Sequence, residues 1–148
     1  MTYHLIPRFN YDYNYRDFFY SFLKINDTHF DPGNLTKYFE SGHIFFTNYA
    51  RTGLRILLST LGLKKNSRIG VQAFTCHTVF KAVEKAGHTA YFIDIGDDYT
   101  IDVRDLEKKV NHIDALIVTH TFGNPAGIDS IKKILKKKPL IEDCSHSL

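Results

Sequence analysis

Residues 140–148, which read LIEDCSHSL, bring a carboxylate, a thiol, hydroxyls and an imidazole directly behind an apolar pair. Because Asp143 follows Leu140 and Ile141 so closely, we expect its carboxylate to be partly desolvated, which is costly unless a cationic or protonated group holds it. A protonated heteroaromatic nitrogen fits such a position. The simpler alternative is an aspartate that caps the following turn, and Glu142, on the other side of the strand, is expected to be solvated or structural.

A second group of candidates opens the helical stretch TNYARTGLRILL. The first turn of a helix presents unpaired N–H groups and the positive end of the helix dipole, and together these form an anion site. Thr52 adds a hydroxyl to that site. Threonine is also a common helix cap, and taken alone a plain cap is the simpler interpretation.

Alternating elements must position these groups. Apolar residues at helical spacing predict a helix through Leu54 to Leu61 that ends at Gly62. Short apolar runs predict strands, and the run Ala115-Leu116-Ile117-Val118 is typical of a strand that is buried on both faces. The remaining predicted helices carry Val79, Val83 and Ala86; Val103, Leu106 and Val110; and Ile128, Ile131, Ile134 and Leu135, and the remaining strands are residues 69–71, 90–93 and 140–141.

This alternation predicts an α/β fold, with a mostly parallel sheet and helices packed on both faces. Ligands of such sheets bind at the carboxyl ends of the strands. The four segments that follow the predicted strands contain both cysteines and three of the eight histidines. The polar groups therefore concentrate where a ligand is expected; the segments are residues 72–77, 94–98, 119–124 and 142–147.

The amino-terminal part has a different character. The first 49 residues contain 15 of the 21 aromatic residues. Aromatic side chains can stack on single-stranded nucleic acid, but this segment has four basic and five acidic residues and so lacks a positive groove. We expect an aromatic-rich arm over residues 1–47, with a short helix near Arg16 to Lys24 that packs on the body or on a second subunit, and an α/β domain over residues 48–148.

Composition excludes several functional classes. The chain has 148 residues and a formal net charge of +3, far from the basic bias of a dedicated nucleic-acid binder. Its apolar runs are far shorter than a membrane span, and its start lacks the order of a signal peptide, so we expect a cytoplasmic protein. Two cysteines form no disulfide framework, and we expect both to be reduced. We also expect a solvated outer helix face to carry the lysines Lys132, Lys133, Lys136, Lys137 and Lys138.

Four blocks of sequence resemble the DegT/DnrJ family of pyridoxal-phosphate-dependent sugar aminotransferases, which have fold type I. The blocks occur in the family's order from about Asn48 to the end of the chain. The resemblance implies an incomplete fold type I large domain that binds pyridoxal phosphate, a nucleotide-sugar substrate and a homodimer. The matching blocks are ARTGLRILLSTLGL, VQAFTCHTVFKAVEKAGHTAYFIDI, VTHTFGNPAGIDSI and LIEDCSHSL.

The resemblance also implies roles for individual residues. Thr52, with the adjoining Arg51 and Gly53, is expected to hold the cofactor phosphate, although the family often has glycine at the position of Arg51. Asp143 is expected to pair with the pyridine nitrogen, which must stay protonated for the ring to act as an electron sink. His146 stands where the family has glutamine or histidine near the cofactor's ring hydroxyl.

Two further positions depart from the family pattern, and one family motif is absent. Cys76 stands where the family usually has an aromatic residue against the cofactor ring, so either His77 stacks instead or the ring is held differently. Asn124 stands where glutamine is common. No lysine of the chain matches the family's Schiff-base lysine motif, which lies beyond Asp143, so we expect a truncated chain without a catalytic residue and without activity alone.

Two other classes of function remain open. Cys76, His77, His120, Cys144 and His146 could meet at one sheet edge and bind zinc, although their C-H and C-x-H pairs lack the usual zinc spacing. A non-catalytic module that binds a phosphorylated ligand is the second alternative. Absorbance would reveal bound pyridoxal phosphate, whereas zinc absorbs no visible light and would be found by metal analysis.

Overall fold

The computed structural model describes residues 14–24 and 43–146. These residues divide into two units between Phe45 and Phe46, and each unit is treated by itself. Most of the predicted aromatic arm over residues 1–47, and the last two residues of LIEDCSHSL, lie outside the described residues.

Helix α1, Tyr15–Leu23, is the regular element of the first unit within the described residues. Asn14 caps it: the Asn14 side chain accepts the N–H groups of Arg16 and Asp17, and the Asp17 carboxylate accepts the N–H of Asn14. This reciprocal pair is a capping box, which fixes the start of a helix. The helix predicted near Arg16 to Lys24 is confirmed, and its packing partner stays a prediction.

The second unit is built on a sheet of four strands as far as the chain is described. The strand order is β2-β1-β3-β4, and every neighbouring pair is parallel. Strand β3 is buried at all five positions, which matches its unbroken apolar sequence. The strands are β1, Arg68–Gln72; β2, Thr89–Ile93; β3, Ala115–Thr119; and β4, Leu140–Asp143.

Helices pack on both faces of this sheet. Helices α2, Ala50–Thr60, and α3, His77–Lys85, bury their apolar stripes on one face, against Ile69, Val71 and Ile117. Helices α4, Val103–Lys109, and α5, Ile128–Leu135, cover the other face, against Ile93, Leu116 and Val118. The predicted mostly parallel α/β fold with helices on both faces is therefore confirmed.

Glycines end two of these helices. Gly62 follows α2 with φ of +67°, and Gly87 follows α3 with φ of +82°, a left-handed conformation that glycine adopts without steric cost. Each helix leads directly into a strand, and the Asn66 N–H donates to the Gly87 carbonyl at 3.0 Å where the two connections meet at the amino edge of the sheet. Since α2 and α3 pack side by side and run towards that edge, both begin at the carboxyl edge.

Three details differ from the sequence-based expectations. Gln72, Glu142 and Asp143 belong to the ends of β1 and β4 and do not follow them. The third predicted helix stops at Lys109, and a 3₁₀ turn, Val110–His112, leads into β3. Because the strands are longer than their apolar runs, polar residues at the carboxyl edge are held by the sheet itself.

Lys138 corrects the prediction for the lysine cluster. Its ammonium donates to the carbonyls of Val110 at 2.6 Å and Ile113 at 2.7 Å, and its side chain is half-buried. Two carbonyl oxygens thus accept the ammonium, which accounts for the partial burial of this lysine. The other four lysines of the cluster are exposed, as predicted.

Candidate cofactor site

The candidate residues lie together at the carboxyl edge of the sheet. The pairs Gln72 with Ile93 and Thr119 with Asp143 lie side by side in adjacent parallel strands. The segments that follow the four strands therefore leave the sheet together, and the first turns of α2 and α3 open at the same edge. This is the edge where open α/β sheets bind their ligands.

Asp143 is the last residue of β4, and its side chain is half-buried. Its Oδ1 accepts the N–H of Ser145 at 3.1 Å, and its Oδ2 lies 3.5 Å from the hydroxyl of Thr119. The Thr119 hydroxyl in turn lies 3.1 Å from the hydroxyl of Thr75, which follows β1. The carboxylate is thus oriented by neutral donors, which leaves its charge for a cationic ligand.

The buried side chain of Gln72 forms hydrogen bonds with the segments at the ends of β2 and β3. Its side chain is fully buried, and its Oε1 accepts the N–H of Thr119 at 2.6 Å. Its Nε2 lies 3.4 Å from both the Tyr99 carbonyl and the Thr121 hydroxyl. A buried amide with partners on both ends holds the segments after β2 and β3 in fixed positions.

His120 and Glu142 form a second polar link between β3 and β4. The His120 ring is buried, and its Nδ1 accepts the N–H of Ala126 at 3.1 Å. Since Nδ1 is an acceptor, the neutral ring carries its proton on Nε2, which lies 3.4 Å from the Glu142 carboxylate. Glu142 is exposed and points away from Asp143, in agreement with its predicted solvated or structural role.

The first turn of α2 carries the predicted phosphate residues. Tyr49 precedes the helix and, among the described residues, offers that turn no side-chain hydrogen bond. Its carbonyl accepts the N–H groups of Thr52 at 2.9 Å and Gly53 at 3.2 Å. The Arg51 guanidinium lies 4.0 Å from the centre of the Tyr49 ring, in a cation–π contact. A positive helix end and a guanidinium therefore lie together at this edge.

Gly53 has a packing reason of its own. A Cβ at this position would lie 3.2 Å from the hydroxyl of Thr47, and that hydroxyl donates to the Tyr49 carbonyl. A larger residue would require the Thr47 side chain to give way by a few tenths of an ångström. Gly53 thus allows Thr47 and Tyr49 to approach the first turn closely.

Cys76 and His77 lie at the start of α3. Cys76 precedes the helix, is exposed, and accepts the Thr78 hydroxyl on its sulfur at 3.2 Å. His77 is the first helical residue and is also exposed. A thiol and an imidazole at a helix start are accessible to a ligand at this edge, and their roles stay predictions.

Sequence reasoning missed a cluster of rings, formed by Phe74, Tyr99, Phe122 and His146, that we call the loop-ring cluster. One ring comes from the segment after each of the four strands, and neighbouring centroids lie 5.6 to 6.2 Å apart. Phe74, Tyr99 and Phe122 are roughly half exposed, at 47%, 49% and 63%. Exposed aromatic surface of this kind is typical of ligand-binding grooves and protein interfaces.

The backbone of the loop-ring cluster is strained. Tyr99 has φ of +63° and Phe122 has φ of +56°, although bulky side chains rarely adopt the left-handed region. Such conformations persist where the surroundings impose them, and they concentrate at functional sites. The sequence signal that could have found the cluster is an aromatic residue within, or directly after, three of the polar segments that follow the strands.

Asn124 joins the segments after β2 and β3. Its side-chain amide donates to the Asp98 carbonyl at 3.0 Å. The N–H and hydroxyl of Thr100 donate to the Asp98 carboxylate and hold its pKa below the ordinary value. Asn124 thus has a structural role in this edge, whatever its role towards a ligand.

The seven predicted cofactor residues all lie at the carboxyl edge, in two groups. Asp143 and His146 follow one another around the end of β4, whereas Arg51 to Gly53, Cys76 and His77 open the helices α2 and α3. In the described ranges, no three His, Cys, Asp or Glu side chains are grouped to hold a metal ion. Likewise, none of the helices described here is long and apolar enough to cross a membrane.

Comparison with known protein families identifies the family of the chain. The sequence profile of the DegT/DnrJ/EryC1/StrS aminotransferase family matches residues 28–148. The chain belongs to this family. The resemblance that the four sequence blocks indicated is thereby confirmed.

Characterised family members also match the chain. It is 32% identical over 120 residues to a UDP-4-amino-4,6-dideoxy-N-acetyl-β-L-altrosamine transaminase of Campylobacter jejuni, covering 77% of this chain and 32% of that protein. It is 28% identical over 99 residues to a UDP-N-acetyl-3-dehydro-α-D-glucosamine 3-aminotransferase of Acidithiobacillus ferrooxidans, covering 64% and 27%. The chain thus spans about a third of the length of these relatives.

Solved structures of the family share the fold. A GDP-4-keto-6-deoxymannose-3-dehydratase with a trapped PLP–glutamate geminal diamine superposes with a TM-score of 0.72 at 25% identity, covering 78% of this chain and 33% of that chain. The Escherichia coli GDP-4-keto-6-deoxy-D-mannose-3-dehydratase with bound hydrated PLP gives 0.81 at 21% identity, covering 93% and 40%. The second likeness concerns the fold alone.

Proposed function

We propose that this chain forms the cofactor-binding part of a pyridoxal-phosphate-dependent nucleotide-sugar aminotransferase. The observation that carries the proposal is the position of Asp143. Its half-buried carboxylate ends β4 at the ligand-binding edge and receives hydrogen bonds only from neutral groups, Thr119 and Ser145, among those described here. A carboxylate placed in this way fits a protonated pyridine nitrogen, which supplies the missing positive charge.

The first turn of α2 is proposed to bind the cofactor phosphate. The positive end of the helix dipole favours an anion, and the hydroxyl of Thr52 can donate a hydrogen bond to it. Arg51 can add a charge-assisted hydrogen bond if its guanidinium leaves the Tyr49 ring. Gly53 keeps the turn compact against Thr47, which supports the same assignment.

His146, Cys76 and His77 are proposed to complete the surroundings of the cofactor ring. The Phe122 N–H donates to Nδ1 of His146, so the neutral imidazole carries its proton on Nε2 and can donate to the ring hydroxyl oxygen. Cys76 and His77 open α3 at the same edge. We propose that His77 replaces the aromatic residue that most family members place against the ring.

The bound cofactor would act as an electron sink for chemistry at the amino group of its substrate. The residues of this chain bind the cofactor, orient it and hold the proton on its pyridine nitrogen. A nucleotide sugar is the proposed substrate because both characterised relatives are named for amino groups on UDP-sugars. A homodimer and a cytoplasmic location are part of the same proposal and stay predictions.

Titration of the full 148-residue chain with pyridoxal phosphate tests the proposal. We expect saturable binding, seen as a change in the cofactor's absorbance, and loss of that binding in Asp143→Ala. Thr52→Val should weaken binding by about 1 kcal/mol if its hydroxyl donates a hydrogen bond. Asp129→Ala, a change of an exposed aspartate on α5, serves as the matched control.

Three outcomes would argue against the assignment. Unchanged binding in Asp143→Ala would remove the role of the carboxylate. Equal binding of inorganic phosphate and pyridoxal phosphate would indicate a general phosphate site at the start of α2, since phosphate alone carries no pyridine ring. Bound zinc in the purified chain, displaced by a chelator, would favour the metal alternative.

A further inference from the structure

We infer that Thr119 is a positioning residue that aims the Asp143 carboxylate at the ligand. The inference deepens the proposed function and rests on it. Thr119 is the last residue of β3 and lies directly beside Asp143 in the register of the sheet. Its hydroxyl is 3.5 Å from Asp143 Oδ2, so its proposed role is exerted through that carboxylate.

A hydrogen bond to the side chain of Gln72 holds the backbone of Thr119. The fully buried Gln72 accepts the Thr119 N–H on its Oε1 at 2.6 Å. Gln72 makes this contact just beyond the point where the pairing of β1 with β3 ends, at Val71 and Ile117. A hydrogen bond to a buried amide side chain leaves the end of β3 little freedom to shift along the sheet.

A hydrogen bond with the hydroxyl of Thr75 holds the side chain of Thr119. Its hydroxyl lies 3.1 Å from the hydroxyl of Thr75. Asp143 can only accept when ionised, so Thr119 donates its proton to the carboxylate and accepts from Thr75. The Thr75 hydroxyl therefore donates to the Thr119 oxygen, and the Thr119 hydroxyl donates to the Asp143 carboxylate.

The composition of β3 makes this hydroxyl unusual. Its preceding residues are all apolar, and Thr119 is only 4% exposed. A valine would fill almost the same volume and would suit the strand, whereas a buried hydroxyl costs free energy unless it is hydrogen-bonded. The position gains nothing from the hydroxyl in packing, which points to its use in orienting Asp143.

The opposite oxygen of the carboxylate is held as well. The Ser145 N–H donates to Asp143 Oδ1 at 3.1 Å, so one donor fixes each oxygen. Two donors on different oxygens set the plane of the carboxylate. A ligand cation then meets a carboxylate that needs no reorientation, which saves part of the entropy of binding.

The test compares two ligands on the full chain. One is pyridoxal phosphate, and the other is its analogue in which C–H replaces the ring nitrogen, so only the first can engage Asp143 through a pyridine N–H. Wild type should prefer the first ligand. Thr119→Val should reduce this preference about tenfold, equal to about 1.4 kcal/mol, while Thr119→Ser, which keeps the hydroxyl, should retain it.

Controls separate positioning from folding. Thr89→Val makes the same change at an exposed strand position at the amino edge and should leave the preference unchanged. Thr75→Val removes the partner of the Thr119 hydroxyl and should reduce the preference in the same direction. If circular dichroism shows that Thr119→Val does not fold, the ligand preference of Thr75→Val tests the inference instead.

The outcomes distinguish the inference from the proposed function. An equal loss for both ligands in Thr119→Val would assign the residue a merely structural role and overturn the inference. An unchanged preference in Thr119→Val and Thr75→Val would also overturn it, with the proposed function intact. If wild type binds neither ligand, the proposed function fails and the inference fails with it.

Discussion

The rings of His146 and Phe122 lie nearly parallel, with an interplanar angle of 5° and centroids 6.1 Å apart, although the residues follow different strands. The Phe122 N–H also donates to Nδ1 of His146 at 3.4 Å. One phenylalanine thus fixes both the plane and the tautomer of the imidazole. The neutral ring then carries its proton on Nε2, in the position that the proposed donation to a cofactor oxygen needs.

Replacement of His146 tests this donor. His146→Ala removes both the donor and the stacked ring, and we expect pyridoxal phosphate to bind about tenfold more weakly. His146→Gln keeps an N–H donor and should bind more tightly than His146→Ala. The measurement is the dissociation constant from absorbance titration of the full chain.

His112→Ala is the matched control for this prediction. His112 also stacks on an aromatic ring, that of Tyr91, but it precedes β3 and so lies at the opposite edge of the sheet. Its replacement should leave the dissociation constant unchanged. Equal affinities of His146→Ala and wild type would contradict the role of His146.

Gln72→Leu should destabilise the protein. Leucine cannot accept the Thr119 N–H, and a buried donor without a partner costs about 1–3 kcal/mol in the free energy of unfolding. Chemical denaturation measures the difference. Asn111→Leu, at an exposed position of the 3₁₀ turn, should change the free energy of unfolding by less than about 0.5 kcal/mol. Comparable effects of the two variants would argue against Gln72 as the link between the strands.

Much of the fold follows from periodicity. The stripe from Leu54 to Leu61, the apolar run of β3 and the glycines after α2 and α3 each express a local rule that needs no distant contact. The crossover connections between the parallel strands then follow from the alternation of strands and helices along the chain. The carboxyl edge, and Asp143 at the end of β4, could therefore be predicted.

The rest depends on contacts between distant parts of the chain. Gln72 and Thr119 are 47 residues apart, and nothing in their local sequence indicates that one accepts the N–H of the other. The left-handed backbone of Tyr99 and Phe122 is likewise imposed by tertiary packing, against the preference of both residues. Lys138 was misassigned because its carbonyl partners lie in another element.

Gly70→Ala should also destabilise the protein. An added Cβ would lie 2.7 Å from the Leu116 side chain and 2.9 Å from the Ile113 side chain, so the core between β1 and β3 must shift. Overpacking of this kind costs about 1–3 kcal/mol in the free energy of unfolding. Gly127→Ser, where an added Cβ meets no atom within 4 Å, is the control and should not destabilise. A stable Gly70→Ala variant would show that this core has spare room.

Asp105 predicts a pH dependence of stability. Burial raises its pKa, but the Asp94 N–H and the Lys109 ammonium lower it more, so the folded pKa lies below the ordinary value. A group of this kind stabilises the fold above its unfolded pKa of about 4, and the stabilisation is lost as pH falls through the folded pKa. Asp105→Asn should thus be less stable than wild type at neutral pH, with a difference that shrinks below about pH 4.

Denaturant unfolding at a series of pH values measures this difference. Glu107→Gln, a change of an exposed carboxylate on the same helix, is the control. A difference between Asp105→Asn and wild type that does not change with pH would contradict the role of the charge. The lost hydrogen bond from Asp94 would then be the whole effect.

Mapping of bound pyridoxal phosphate by amide chemical shifts tests the central claim most directly. The full chain is labelled with ¹⁵N and titrated with the cofactor, so each backbone amide reports its own surroundings. The account predicts that the largest shifts occur at the carboxyl edge, in residues 50–53, 75–77, 119–124 and 143–146. Shifts confined to the amino edge, at Asn66, Gly87 and Asp114, or no saturable shifts at all, would contradict it.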